Sequence, residues 1–180
     1  MTYYGAKQLA DSYRTVRKNT IAIAEEIPEA QYGFKATPDV MSVAEMLAHI
    51  AVVYDWQIDI HRAHVSQIEV AMFVTYRQQG AAAQAALKSK AEIIQALRDG
   101  GERFAAFMEG LSEATLAETV SFPPPMPSPP KTRFEMLLGV KEHEMHHRGQ
   151  LMLVQRLLGQ VPHLTRARAA MQAQRAGTTA

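Results

Sequence analysis

The chain has 180 residues, 47% hydrophobic and 21% charged, a size and composition that suit one compact domain with a substantial core. Its 19 basic and 18 acidic side chains leave a formal net charge of +1 spread along the length, without the basic footprint that a nucleic-acid partner requires. The lack of cysteine excludes disulfides, thiolate metal sites and a cysteine nucleophile; with no apolar signal core at the start and no run of ~20 apolar residues, no membrane role and a cytoplasmic location are expected.

In the first segment Leu9, Tyr13, Val16, Thr20, Ile23 and Ile27 recur at spacings of three and four, the signature of one helix face, and Pro28 ends the run. Ser42-Val43-Ala44-Glu45 then forms a capping-box pattern: the serine oxygen can accept a free amide and the glutamate can reach back. The sequence predicts a second helix from there to about Gln67, with no proline or glycine to interrupt it. A third helix is predicted over Ala82 to Leu111, where Ile94, Leu97, Gly101, Phe104, Met108 and Leu111 keep the same rhythm and Gly100-Gly101 weakens it locally. Residues 123–130 are proline-rich and read as an extended crossover loop. Thr132-Arg133-Phe134-Glu135 is a second capping box, opening a fourth helix that runs to about Leu158 and stops at Gly159. The expected architecture is therefore all-α, a four-helix bundle over residues 1–160, followed by a basic tail, 161–180, carrying Arg166, Arg168 and Arg175 on a solvated short helix or partly disordered segment.

The histidines interrupt this pattern informatively. His143 and His147 lie one turn apart within the stripe Met136, Val140, His143, His147, Leu151, Val154 and Leu158, so two imidazoles occupy a face that otherwise meets the core. On the second helix His49 similarly interrupts Met46, Val53, Trp56 and Ile60. Bundles build metal sites from facing helices, and three imidazoles around a divalent ion leave a position open for water or substrate, as reactive rather than closed sites do. The bland alternative is a set of core histidines hydrogen-bonded to backbone or carboxylates. His61 and His64 read as solvated or hydrogen-bonded, His146 as a flanking residue, and His163 as a residue without a spaced partner. Trp56 lies on the His49 stripe as core or pocket wall, and Gln150 can meet a ligand or face solvent.

His143-Glu144-Met145-His146-His147 also satisfies H-E-x-x-H, the zinc-peptidase pattern. The class that takes a downstream glutamate as third ligand fails, because no acid follows Glu144; the longer H-E-x-x-H-x-x-G-x-x-H pattern fails because Gly149 is one position early and Leu153 replaces the last histidine. Glu144 is left with three open roles: general base, solvent-facing residue, or orienter of a histidine.

Together, "SVAEMLAHIAVVYDW", the preceding "FKATPDVM" and "HEMHHRGQLMLVQRLLG" resemble the DinB/YfiT-like superfamily, with a helix-two histidine and a distant H-x-x-x-H in an H-R-G-Q context. The resemblance spans the whole chain. It implies a four-helix bundle of up-down-down-up topology and a divalent metal, nickel or zinc, held by His49, His143 and His147. It also implies homodimers, and metal-dependent transfer chemistry with low-molecular-weight thiols. The proline-rich insertion and the arginine-bearing tail depart from the family's pattern.

The function expected on this basis is a metal-dependent enzyme, a thiol S-transferase or hydrolase, with a three-histidine site and a small-molecule thiol substrate. No catalytic residue beyond the ligand set is assigned. The alternative is a non-catalytic metal-binding or dimeric interaction or stress-response module, also with the three histidines but without turnover.

Overall fold

The computed structural model describes residues 4–123 and 129–177. Helix α1, Ala6–Glu26, follows the expected stripe, burying Leu9, Tyr13, Val16, Thr20 and Ile23, and its last rung is the Ile27 amide on the Ile23 carbonyl ahead of Pro28. A single 3-10 turn, Glu29–Gln31, leads to α2, Val43–Val52. Ser42 caps it as the sequence predicts: Oγ accepts from the Glu45 amide at 3.2 Å and the Ser42 amide donates to the Glu45 carboxylate at 2.7 Å.

The second helix is not continuous to Gln67. It breaks at Val53–Tyr54 and resumes as α3, Asp55–Arg62, with neither proline nor glycine at the break. The reason is long-range: where the α2 ladder stops, the Ile50 carbonyl accepts instead from Arg17 Nη2 on α1 at 3.2 Å. A guanidinium at a helix C-terminus meets both orphan carbonyls and the negative end of the helix dipole. Helix α3 ends with His64 at φ 49°, the Val65 amide reaching back to the Ile60 carbonyl at 3.0 Å.

The predicted third helix is likewise two. Helix α4, Val70–Ala86, begins well before Ala82, and α5, Lys90–Glu109, starts from Ser89, whose Oγ accepts from Glu92 while Glu92 takes the Ser89 amide. No residue of α4 is buried, so periodicity gave it no signal; it lies against α2 as a cover rather than in the core. In α5 the glycine pair is a packing device. A Cβ on Gly100 would lie 3.2 Å from the Ala51 carbonyl oxygen, and one on Gly101 would lie 2.6 Å from Arg17 Cγ, so the missing side chains admit α2 and Arg17 against α5.

A short helix α6, Glu113–Ala117, precedes a two-residue ladder in which Thr119–Val120 (β1) pairs antiparallel with Lys131–Thr132 (β2). Most of the expected proline loop, at 124–128, lies outside the described residues. The second capping box holds as predicted, with Thr132 Oγ1 accepting from Glu135 at 3.1 Å, and α7 runs Arg133–Leu157. Gly159, at φ 77°, ends it, with the Gln160 amide on the Gln155 carbonyl at 2.8 Å. The tail forms α8, His163–Gly177, which touches α1; Arg166 pairs with Glu26, so part of its basic charge is neutralised.

The protein is thus mostly helical, with α1 packed on α5 and α7, and α2 on α4, α5 and α7. Ile23, Leu47, Leu97 and Leu151 from these helices meet in one apolar cluster, and Leu9, Phe104, Met108 and Leu137 in another nearer the chain start. Among the described residues no helix is long and apolar enough to cross a membrane.

Candidate metal centre

Helix α7 carries two polar groups on adjacent positions that face different neighbours. Glu144 points toward α1, where Arg17 Nε donates to both carboxylate oxygens at 3.0 Å. The guanidinium also donates to the Leu97 carbonyl at 2.9 Å and to the Tyr13 hydroxyl oxygen at 2.7 Å. The two charged side chains are 7% and 3% exposed. Burial pushes the Tyr13 hydroxyl up from its ordinary value, so it stays protonated beside the ion pair. Of the three roles open to Glu144 from sequence, none is the one observed: its carboxylate is engaged by Arg17 and fixes α1 against α7.

One residue before it on α7, His143 faces α2. Its Nε2 lies 3.4 Å from His49 Nε2 and 3.1 Å from His147 Nε2, and the three candidate ligand nitrogens all fall within 4.8 Å of one another. Tetrahedral bonds of about 2.0–2.1 Å separate ligand nitrogens by about 3.3–3.4 Å, close to the two contacts at His143. The sequence-predicted trio is therefore brought together. His49 sits at the margin of the buried face of α2, half-exposed, rather than in its middle, which leaves the cluster open on one side.

The protonation of the cluster follows from its surroundings. Burial lowers His143 to about 4, with the neighbouring imidazoles adding to the effect. Burial also lowers His49 and His147, against the opposing pull of Gln84 and Gln150 respectively. All three rings are thus neutral near pH 7, the form that ligates. Gln150 Oε1 accepts from His147 Nδ1 at 2.7 Å, which assigns the His147 proton to Nδ1 and leaves the Nε2 lone pair facing the other two histidines. A proton on His143 Nε2 can serve only one of its two contacts, so three neutral rings cannot satisfy one another here. A cation accepts all three lone pairs, and the donor set suits a borderline divalent metal.

Tyr54, at the break between α2 and α3, places its ring edge-on to His143 at 5.0 Å between centroids. It shares with His49, Trp56, Phe73, Tyr76 and Arg77 the lining of a cavity of about 380 Å³ walled by α4. Trp56 stacks on Tyr76, centroids 5.5 Å apart, so it is a pocket wall as well as part of an apolar cluster. Sequence reasoning missed Tyr54, Phe73, Tyr76 and Arg77 because it missed α4 and the break. The signals present were the Ser89-Lys90-Ala91-Glu92 box, which separates α4 from α5, and the one-turn spacing of Arg17 from Tyr13.

The remaining histidines sit elsewhere. His61 is fully buried with Arg133: Arg133 Nη1 donates to His61 Nδ1 at 3.1 Å, and His61 Nε2 donates to Gln57 Oε1 at 2.8 Å. His64 pairs with Glu118 at the surface, His146 is exposed beside His147, and His163 contacts Asn19 Oδ1 at 3.2 Å.

Comparison with curated proteins finds no match. The solved structure of a DinB-like protein from Bacillus subtilis is similar in fold, with a TM-score of 0.63 over 86% of this chain and 93% of that one, at 20% sequence identity. The DinB superfamily profile matches residues 12–151, a span that contains Arg17, Glu144 and all three clustered histidines, and the chain belongs to that superfamily.

Proposed function

We propose that His49, His143 and His147 hold a divalent ion, nickel or zinc, and that the protein is a metal-dependent enzyme, a thiol S-transferase or hydrolase. The observation that carries this reading is the convergence of three imidazole nitrogens, at 3.1 and 3.4 Å about His143, with no carboxylate among them. Bound there, such an ion supplies the positive charge that lowers the pKa of a thiol or a water. The chain's own residues flank it: Gln150 holds the His147 tautomer, Tyr54 meets the His143 ring edge-on, and the Arg17–Glu144 pair ties α7 to α1.

Two observations favour an enzyme over a purely structural metal site. The helices bearing the histidines are already joined by Arg17, Glu144 and the apolar clusters, which supports a fold that stands without an ion. A cavity of about 380 Å³ adjoins His49, within the size range of small-molecule sites. The proposal extends to a four-helix bundle of up-down-down-up topology made of α1, α2 with α3, α5 and α7, within a domain of residues 1–160, and to a cytoplasmic homodimer using a small thiol. Leu153 and Leu157, exposed on α7, support such a pairing.

Chelation tests the reading. The stripped protein is expected to keep its thermal melt and lose thiol-transfer or ester and amide turnover, which returns with nickel or zinc. Melting on chelation, with no turnover in the loaded protein, would instead support the structural alternative.

A further inference from the structure

The cavity beside His49 has an uneven chemistry. Val53, Tyr54, Trp56, Phe73 and Tyr76 give it apolar and aromatic walls, and the Trp56–Tyr76 pair, inclined by 25°, forms a stacked flat surface. Among the described residues no carboxylate lines it, and its charged side chain is Arg77 on α4. Among the described residues Arg77 has no hydrogen bond, ion pair or ring contact. Arg14, Arg17, Arg98, Arg103 and Arg133, by contrast, each meet a carboxylate. A free guanidinium at the edge of an apolar cavity, opposite a cluster that would itself carry a cation, makes a field that favours anions and excludes amines.

We propose that this cavity takes a substrate with a flat apolar or aromatic body and one carboxylate, the body lying along Trp56 and Tyr76 and the carboxylate held by Arg77. A single guanidinium matches a carboxylate through its two parallel N–H groups, whereas a phosphate dianion would call for a second cation, and neither a lysine nor a second arginine is among the described residues that line the cavity. The proposal rests on the three-histidine site as the reacting centre, for which Arg77 would act as a specificity residue.

Trp56 is the single tryptophan, so its emission reports occupancy of the cavity directly and without turnover. The probes are 3-phenylpropionate, its neutral amide, and 3-phenylpropylamine, titrated into the wild type, Arg77→Met and His143→Ala proteins. The acid is expected to shift Trp56 emission and to bind about tenfold more tightly than the amide, with the amine weakest. Arg77→Met should bring acid and amide to equal affinity, and His143→Ala should retain the preference. Three results would overturn the proposal: no probe alters Trp56 emission, the preference survives Arg77→Met, or it disappears in His143→Ala, which would put the carboxylate on the histidine cluster. If the wild type held no metal but kept the preference for the acid, the metal reading would fail while the Arg77 assignment stood.

Discussion

Helix α7 offers its own comparison, between Glu144 and the histidines that flank it. Glu144 meets a guanidinium each of whose three nitrogens donates to a carbonyl, hydroxyl or carboxylate oxygen, and the pair is closed off from solvent. His143 and His147 meet His49 with ring nitrogens facing one another, and His49 opens with Tyr54 onto the cavity. A polar cluster that satisfies itself holds the fold together. One that converges and cannot satisfy itself calls for a ligand.

Breaking the closed cluster should have the largest effect on stability. Glu144→Ala leaves the Arg17 guanidinium buried without its counter-ion and is expected to cost about 3–5 kcal/mol in chemical denaturation. Whatever folded protein remains should still bind metal, since Glu144 is not a ligand. Retained stability would show that the pair is incidental.

A second closed cluster predicts a pH dependence. Burial, reinforced by the Arg133 charge, lowers His61 to about 4, so the folded protein keeps this ring neutral while the unfolded chain protonates it near 6.5. The unfolded state binds more protons between those values, so stability is lost as pH falls from about 6.5 through about 4, by an amount on the order of 3 kcal/mol. His61→Gln should remove this part of the acid sensitivity, measured as the difference between the two proteins' stability profiles. Identical profiles would contradict the assignment.

The open cluster should respond in affinity rather than stability. Gln150 is exposed and accepts from His147 Nδ1. Gln150→Leu frees the imidazole to place its proton on either nitrogen and is expected to weaken metal binding about 10–100-fold in competition with a chromophoric chelator, with the melting temperature of the metal-free protein unchanged. Unaltered affinity would mean that the tautomer is set by something else.

The same contrast explains what could be read from the chain. His49, His143 and His147 were legible because three-four spacing puts polar rings on apolar stripes, a local property of the sequence. The end of α1, the start of α2 and both ends of α7 were legible because Pro28, Ser42, Thr132 and Gly159 act within one turn. The break at Val53–Tyr54 was not, since its cause is Arg17 on another helix. The role of Glu144 was hidden for the same reason: its partner lies 127 positions away. Helix α4 escaped because none of its residues is buried, so it has no core-facing stripe to display, although Ser89 and Glu92 carry the same cap that marked α2 and α7.

The proposed function stands or falls on whether three imidazoles on two helices hold one ion. The most direct measurement is elemental analysis of protein purified without a polyhistidine tag, for the wild type and for His143→Ala. One divalent ion per chain is expected in the wild type and none in a His143→Ala protein of unchanged helical content; a metal-free wild type, or full retention of the ion by His143→Ala, would contradict the three-histidine site.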